Sequence, residues 1–322
     1  MAKSRIVALF VYDGFQLLDI TGPAAVFSAA NSSLRRKAYE VVVLSRRGGM
    51  VESNGGVTLA THAFAKFGAR SIDTLLIAGA EETALRAAIA LPAIRQALPK
   101  LVAKTRRFGS VCSGTFVLAA LGLLKGRKVA THWEACAALA ARYPDLTVDP
   151  TALYMVDGRV WTSAGVTTGI DMALAMVEED CGAEIANGIA RRLVLYARRP
   201  GYQSQFSPLL DAQIKAESRF AELIQWMQNN LDQPLDVPAL AERAGLTERS
   251  FYRRFSAAVG TPPAQFVEKV RLEAARTLIA DDISLKAVAA KVGLTPIRLN
   301  RAFARHFGIA PRLFRDMHRQ AA

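Results

Sequence analysis

The sequence predicts an α/β domain with a mainly parallel sheet, followed by an all-α domain. Two observations lead there. Through the first two thirds of the 322 residues, short apolar runs rich in β-branched residues alternate with helical stretches, the pattern of buried parallel strands and their crossover helices. In the last third strand-like runs stop, and one small helical unit is written twice.

The predicted strands begin with RIVALFVY (5–12), YEVVVLS (39–45) and TLLIAGA (74–80), each ending near Gly, Asp or Ser. GPAAVFSAAN and the long EETALRAAIALPAIRQALPKLVAKT read as helices between them. KVATHW reads as a further strand and VDGRVWTSAG continues the pattern, before a helix at TTGIDMALAMVEED and another over about 183–198. RRPGYQSQFSP has linker composition. The expected division is a ligand-sensing domain over 1–198, a linker over 199–213 and a DNA-binding domain over 214–322.

The composition is 51% apolar and 21% charged, ordinary for a globular protein. A net charge of +13 is less ordinary and suggests a polyanionic partner. Residues 191–322 hold 21 basic against 12 acidic residues, whereas 1–190 hold 20 against 16, so the excess lies at the C-terminal end. Cys112, Cys136 and Cys181 form no CxxC pair and show no metal-ligand spacing, so neither a metal nor a cofactor is expected. The first apolar run is too short for the core of a leader peptide, and nothing approaches the ~18–20 apolar residues of a membrane span. A reducing cytoplasm without disulfides is the expected setting.

The repeat aligns ALAERAGLTERSFYRRFSAAVGTPP (239–263) with AVAAKVGLTPIRLNRAFARHFGIAP (287–311). Gly245 matches Gly293, Thr247 matches Thr295, Arg253 matches Arg301 and Phe255 matches Phe303. Asp236 and Ser284 can each cap a first helix, the glycines supply the turn, and the two threonines cap a second helix. On the second helix of the first copy, Phe251 and Phe255 face inward while Arg249, Tyr252 and Arg253 face out. In the second copy Leu299 and Phe303 face inward while Ile297, Arg298, Asn300 and Arg301 face out. Arg and Asn read guanine and adenine edges bidentately, and Ile can pack on a thymine methyl. A solvated face is the usual fate of surface arginines, but two copies with matched turn, cap and core positions favour a reader of DNA.

These residues, with the intervening PAQFVEKVRLEAARTLI and the terminal FGIAPRLFRDMHR, resemble the AraC/XylS family of bacterial transcription regulators. The resemblance implies two helix-turn-helix units joined by a long helix, with the recognition helices in successive major grooves. By position it implies contacts from Arg249, Tyr252 and Arg253, and from Ile297, Asn300 and Arg301. Pro296 removes a backbone donor at the start of the second recognition helix.

In the N-terminal part, FGSVCSGTFVLAALGLL (108–124) reads as a strand that runs into Cys112 with a helix immediately behind it. Gly109, Ser113 and Gly114 provide the small residues such a tight elbow needs. The helix N-terminus would stabilise a thiolate, and His132 and Asp19 could serve as base and orienting carboxylate. Equally, Cys112 could be core, His132 an interior imidazole, and Asp19 a cap before Gly22-Pro23.

The elbow, THW, DITGP and TSAGVTTGIDMAL resemble the PfpI-type branch of the class I glutamine-amidotransferase-like fold. The resemblance implies a flavodoxin-like, amidotransferase-like parallel sheet with Cys112 at the nucleophile position, Asp19 as the carboxylate contacting the thiol, and His132 matching a histidine of other members. PfpI-type proteases place a histidine directly after the cysteine. Ser113 stands there instead, so peptidase activity is not implied.

The fusion, with its connector ARRLVLYARRPGYQSQFSPLL, resembles the GlxA-type transcriptional regulators. That implies a non-enzymatic sensor binding a small nitrogenous effector through Cys112, Asp19, Gly79, Ser113 and His132. It also implies a homodimer through the N-terminal domain, double-stranded promoter DNA as partner, and RNA polymerase as a further partner of an activator. Two alternatives stand beside it. In one, a cysteine-dependent hydrolase or hydratase uses backbone amides near Gly79 and Ser113 to hold developing negative charge. In the other, an activated Cys112 thiolate senses oxidants. Cys136, Cys181, His62 and Trp226 read as structural. Arg191, Arg192, Arg198 and Arg199 read as a solvated face, and Glu81 and Glu82 as helix N-terminal acids.

Overall fold

Ile6, Val7, Ala8, Leu9 and Phe10 are all buried, and a run buried on both faces belongs at the centre of a parallel sheet. The computed structural model, which describes residues 4–67, 72–195, 198–205, 218–280 and 283–319, places this strand, β1 (Arg5–Phe10), there. It pairs in parallel with β2 (Tyr39–Ser45) on one side and β5 (Ile72–Ile77) on the other. Beyond β2, β3 (Gly49–Glu52) and β4 (Thr58–Ala63) form an antiparallel pair, of which β4 runs parallel to β2. Beyond β5 come β6 (Arg107–Val111), β10 (Val160–Ser163) and the antiparallel edge strand β9 (Tyr154–Asp157). The sheet order is β3-β4-β2-β1-β5-β6-β10-β9. The β3–β4 pair was not foreseen, because its strands are half exposed and carry no continuous apolar run.

Side-chain alternation along β1 feeds two cores. Ala8 and Phe10 pack with α3 (Glu82–Ala90), α4 (Pro92–Val102) and α5 (Thr115–Ala120), while Val7 and Leu9 pack with α1 (Leu18–Ser33) and α7 (Thr168–Cys181). A short α2 (Phe64–Phe67) follows β4, and α8 (Ala183–Arg192) packs on α7 and α1.

Three predicted elements are corrected. The long helix after Ala80 breaks between α3 and α4, where Leu91 is extended because the ring of Pro92 disfavours helical geometry before it. The predicted strand KVATHW supplies only β7 (Lys128–Val129), which pairs with β8 (Thr147–Val148) in a separate small sheet, and His132 sits at the N-cap of α6 (Trp133–Arg142). The helix expected to reach Arg198 ends at Arg192. The chain then turns back, with Arg198 bonded to Glu178 and Arg199 to Asp171. These two arginines therefore belong to ion pairs rather than to a solvated face.

The chain divides into Met1–Gly201 and Tyr202–Ala322, inside the expected 199–213 connector. Residues 206–217 of that region lie outside the described residues. The second unit contains α9 (Ser218–Asn229), α10 (Val237–Arg243), α11 (Glu248–Val259), α12 (Pro263–Ala280), α13 (Leu285–Lys291), α14 (Pro296–Phe307) and α15 (Pro311–Arg319). All four expected caps form: Asp236, Thr247, Ser284 and Thr295 each accept the backbone N–H three residues on. Gly245 and Gly293 turn the chain between the paired helices at φ of 63° and 64°, left-handed geometry that favours glycine. Phe251 and Phe255 fill one core with Phe266 and Val270 of α12, and Leu299 and Phe303 fill a second with Leu272 and Ile279 of the same helix. One helix thus supplies both cores and sets the spacing between the two helix pairs. Trp226 is structural, with the Arg243 guanidinium 3.8 Å from its ring centroid.

β6 and β10 approach closely at Gly109. A Cβ on Gly109 would fall 1.5 Å from the Trp161 carbonyl oxygen. Gly109→Ala must therefore separate the strands that carry Cys112, at a cost above ~3 kcal/mol. The expected result is loss of soluble protein or a strongly lowered first-unit melting transition, and a wild-type melt would contradict this packing.

Candidate functional site

β1, β5 and β6 end side by side, and the chain reverses its direction of travel across the sheet between β2 and β5. That is a topological switch point, where open α/β sheets bind ligands. A cleft of about 1090 Å³ opens at these strand ends. Cys112 and Ser113 line it at the elbow, with Ala80 and Glu81 on one side and His132 and Glu134 on the other. Glu81 and His132 are the N-caps of α3 and α6, so both helices start beside the elbow. Leu85 and Ile89 of α3 and Ala135 and Ala138 of α6 continue the walls, and Arg95 and Arg142 stand among the lining residues further along.

Cys112 occupies a strained left-handed conformation, φ 57°, at the point where β6 passes into a 3₁₀ turn (Cys112–Gly114) and α5. Its carbonyl accepts hydrogen bonds from the Thr115 and Thr131 hydroxyls at 3.2 and 3.0 Å. The expected stabilised thiolate is not what this arrangement yields. Burial, with the nearby Asp19 carboxylate adding to it, pushes the thiol up to about 12 against the opposing Ser113 N–H. Behind the elbow α5 is only six residues long, a weak dipole against that burial.

Asp19 is fully buried, and its oxygens accept the Gly79 N–H at 2.9 Å and the Val166 N–H at 2.8 Å. Desolvation raises its carboxyl from 3.8 to about 6, and the two amide bonds only partly oppose the rise. Neither Asp19 nor Gly79 lines the cleft, so of the five sequence-chosen ligand residues Cys112, Ser113 and His132 reach it. Of the two backbone donors expected to hold negative charge, the Gly79 N–H is engaged elsewhere and the Ser113 N–H is directed at the Cys112 thiol. The Gly79 N–H serves Asp19, and the Ser113 hydroxyl accepts the Ala80 N–H at 3.0 Å while donating to the Ala80 carbonyl at 2.8 Å. His132 is half-buried with Nδ1 3.7 Å from Glu134 Oε2.

Sequence reasoning missed Val166. It lines the cleft, bonds Asp19, and has φ 51°, unusual for a β-branched residue. Its neighbour Thr167 accepts a hydrogen bond from Arg199 Nη2 at 3.0 Å, and Arg199 also grips the buried Asp171 through its backbone N and its guanidinium. No local pattern could have announced these partners, which lie 28 and 32 residues apart in the chain.

In the second unit, Arg249, Tyr252, Arg253, Ile297, Arg298, Asn300 and Arg301 are all exposed, on the outer faces of α11 and α14. Ile297 is 69% exposed and Tyr252 48%.

A model of the DJ-1/PfpI family matches residues 5–179, more than half of the chain. The chain belongs to the DJ-1/PfpI family. A helix-turn-helix domain model matches residues 240–317. The HTH-type transcriptional regulator CdhR of Pseudomonas aeruginosa is 29% identical over 92% of this chain and 88% of the relative. The HTH-type transcriptional regulator GlxA of Rhizobium meliloti is 27% identical over 95% and 94%. A crystal structure of a THiJ/PfpI family protein from Pseudomonas syringae covers 69% of this chain and 87% of its own, with 25% identity and a TM-score of 0.54. The DJ-1/PfpI domain is thus joined to an AraC-type helix-turn-helix domain in the architecture of transcriptional regulators, a family that implies DNA binding. Among the described residues no helix is long and apolar enough to cross a membrane.

The buried Asp19 makes stability pH-dependent with a definite sign. Its native pKa is raised, so between pH 3.8 and about 6 the native state holds a proton that the unfolded chain has lost. Stability therefore falls as pH rises through that window, by ~3 kcal/mol once Asp19 is ionised in both states. Asn does not titrate. The stability of wild type relative to Asp19→Asn is expected to drop by about that amount between pH 4 and 7 in urea melts, and a constant difference would refute the assignment.

Proposed function

We propose that this regulator senses a small nitrogenous metabolite in the Cys112 cleft and changes promoter occupancy or geometry in response. The observation that carries the sensing reading is the elbow itself: a thiol whose pKa burial raises, beside a Gly79 amide already bonded to Asp19. That arrangement suits recognition better than turnover. Val166 supports a route outward, since one loop forms cleft wall, Asp19 ligand and, through Thr167, a bond to Arg199 where the connector begins. A ligand pressing on Val166 would bias that clamp and so the connector, a coupling typically worth about 1–3 kcal/mol.

The protein acts in the cytoplasm as a homodimer held by its N-terminal domain, with 1–198 as sensor, 199–213 as linker and 214–322 as reader, and RNA polymerase is a further partner only if it activates. Arg249, Tyr252 and Arg253 contact one major groove, and Ile297, Arg298, Asn300 and Arg301 the next. A second reading, Cys-dependent hydrolysis or hydration of the ligand, rests on the strained backbone at Cys112. Recovery of unchanged ligand after long incubation would exclude it.

Promoter-driven transcription in a purified system, across a panel of nitrogenous metabolites, tests the proposal. One metabolite is expected to switch wild type but not Cys112→Ala, and equal responses would remove Cys112 from the sensing site. Asn300→Ala and Arg301→Ala should each weaken binding to the promoter by about 1–3 kcal/mol with little change on random duplex. Equal loss on both duplexes would make them phosphate contacts only.

A further inference from the structure

We propose that Glu268 of α12 is a specificity-determining residue of the DNA reader, positioning Arg298 and holding Arg305 back from phosphates that are met without base recognition. The inference rests on the DNA-binding reading above.

Arg298 and Arg305 are seven residues apart on α14, two helical turns, and so point to one side of it. Glu268 faces that side from the connecting helix. Its carboxylate receives a hydrogen bond from Arg305 Nη2 and lies 3.9 Å from Arg298 Nη2. The carboxylate is the more sheltered partner, 26% exposed against 65% and 69% for the two guanidinium side chains. Cations surround it: Lys269 is adjacent in sequence, His306 feels both Glu268 and Lys269, and Arg271 on the same helix is repelled by Arg298. Arg301 lies exposed between the two paired arginines in sequence.

The first reader lacks this device. At the positions that the repeat aligns with Arg298 and Arg305 it carries Ser250 and Ala257, although the two units match at turn, cap and core. A negative charge at a surface meant for a polyanion costs general affinity, so its placement needs another effect to offset it. A guanidinium held by a carboxylate offers less to any passing phosphate, while an exposed ion pair is weak enough to yield where base contacts are also made. Glu268 would then lower non-specific binding more than specific binding, and keep Arg298 directed along the reading face beside Ile297.

The test compares the full chain with Glu268→Gln, Glu268→Asp and Glu268→Gln/Arg305→Gln on two duplexes of equal length, one from its own promoter region and one of random sequence, across a salt series. Each phosphate neutralised contributes about 0.9 to the slope of log affinity against log salt. Glu268→Gln is expected to steepen the random-duplex slope by about that amount, raise random-duplex affinity several-fold at low salt, and lower the promoter-to-random ratio. The double variant is expected to return the slope to the wild-type value, and Glu268→Asp, which keeps the charge, to return it at least halfway. Superimposable circular-dichroism melts separate these effects from misfolding. Wild type without promoter preference overturns the DNA-binding reading itself. Wild type with preference but unchanged slope and ratio in Glu268→Gln overturns the role of Glu268 alone, as does a steepened slope that loss of Arg305 fails to reverse.

Discussion

One buried carboxylate organises the cleft end of the first unit. Asp19 lies at the start of α1, yet its two oxygens bind amides 60 and 147 residues further along the chain. Without it, the Gly79 and Val166 N–H groups would lose their acceptor inside the protein, and leaving a buried donor unpaired costs about 1–3 kcal/mol. The bonds draw the ends of β5 and β10 toward α1 and bring Val166 into its left-handed conformation against the cleft. The same negative charge raises the neighbouring thiol. A single group therefore shapes the cleft, holds its wall and adds to the burial that raises the Cys112 thiol.

That arrangement explains how an enzyme-like elbow can serve a regulator. Strain at Cys112 remains because Gly109 and the β6–β10 junction hold the backbone, whatever chemistry the thiol performs. The sheet supplies rigidity from its opposite end as well. Buried Arg107 joins β6 to the C-terminal turn of α7 through Asp180 at 2.6 Å and Glu179 at 2.9 Å, so α7 is tied to the sheet at one end and to Arg199 near the other.

The second unit obeys a different constraint. Its helices are short and individually marginal, so caps and paired aromatic cores carry much of their definition. Because α12 contributes to both cores, each reader is fixed to one common rod. The polar faces left over carry the exposed arginines, with Glu268 set between two of them.

Local chemistry made much of this legible. A run buried on both faces, a Ser or Thr at an N-cap and a Gly at a left-handed turn are properties of a few neighbouring residues, so β1, the paired helix-turn-helix units and the elbow at Cys112 could be read from the sequence alone. The half-exposed β3–β4 pair escaped because it lacks that local signal, and KVATHW misled because its apolar residues belong to a short pairing and a helix cap. The role of Asp19 was legible only as a residue type. Its amide partners, the raised pKa of Cys112, the Val166–Thr167–Arg199 connection and the Glu268 pairing all depend on groups brought together from distant parts of the chain. Burial and long-range hydrogen bonding set those properties, and both come into being only when the tertiary structure closes.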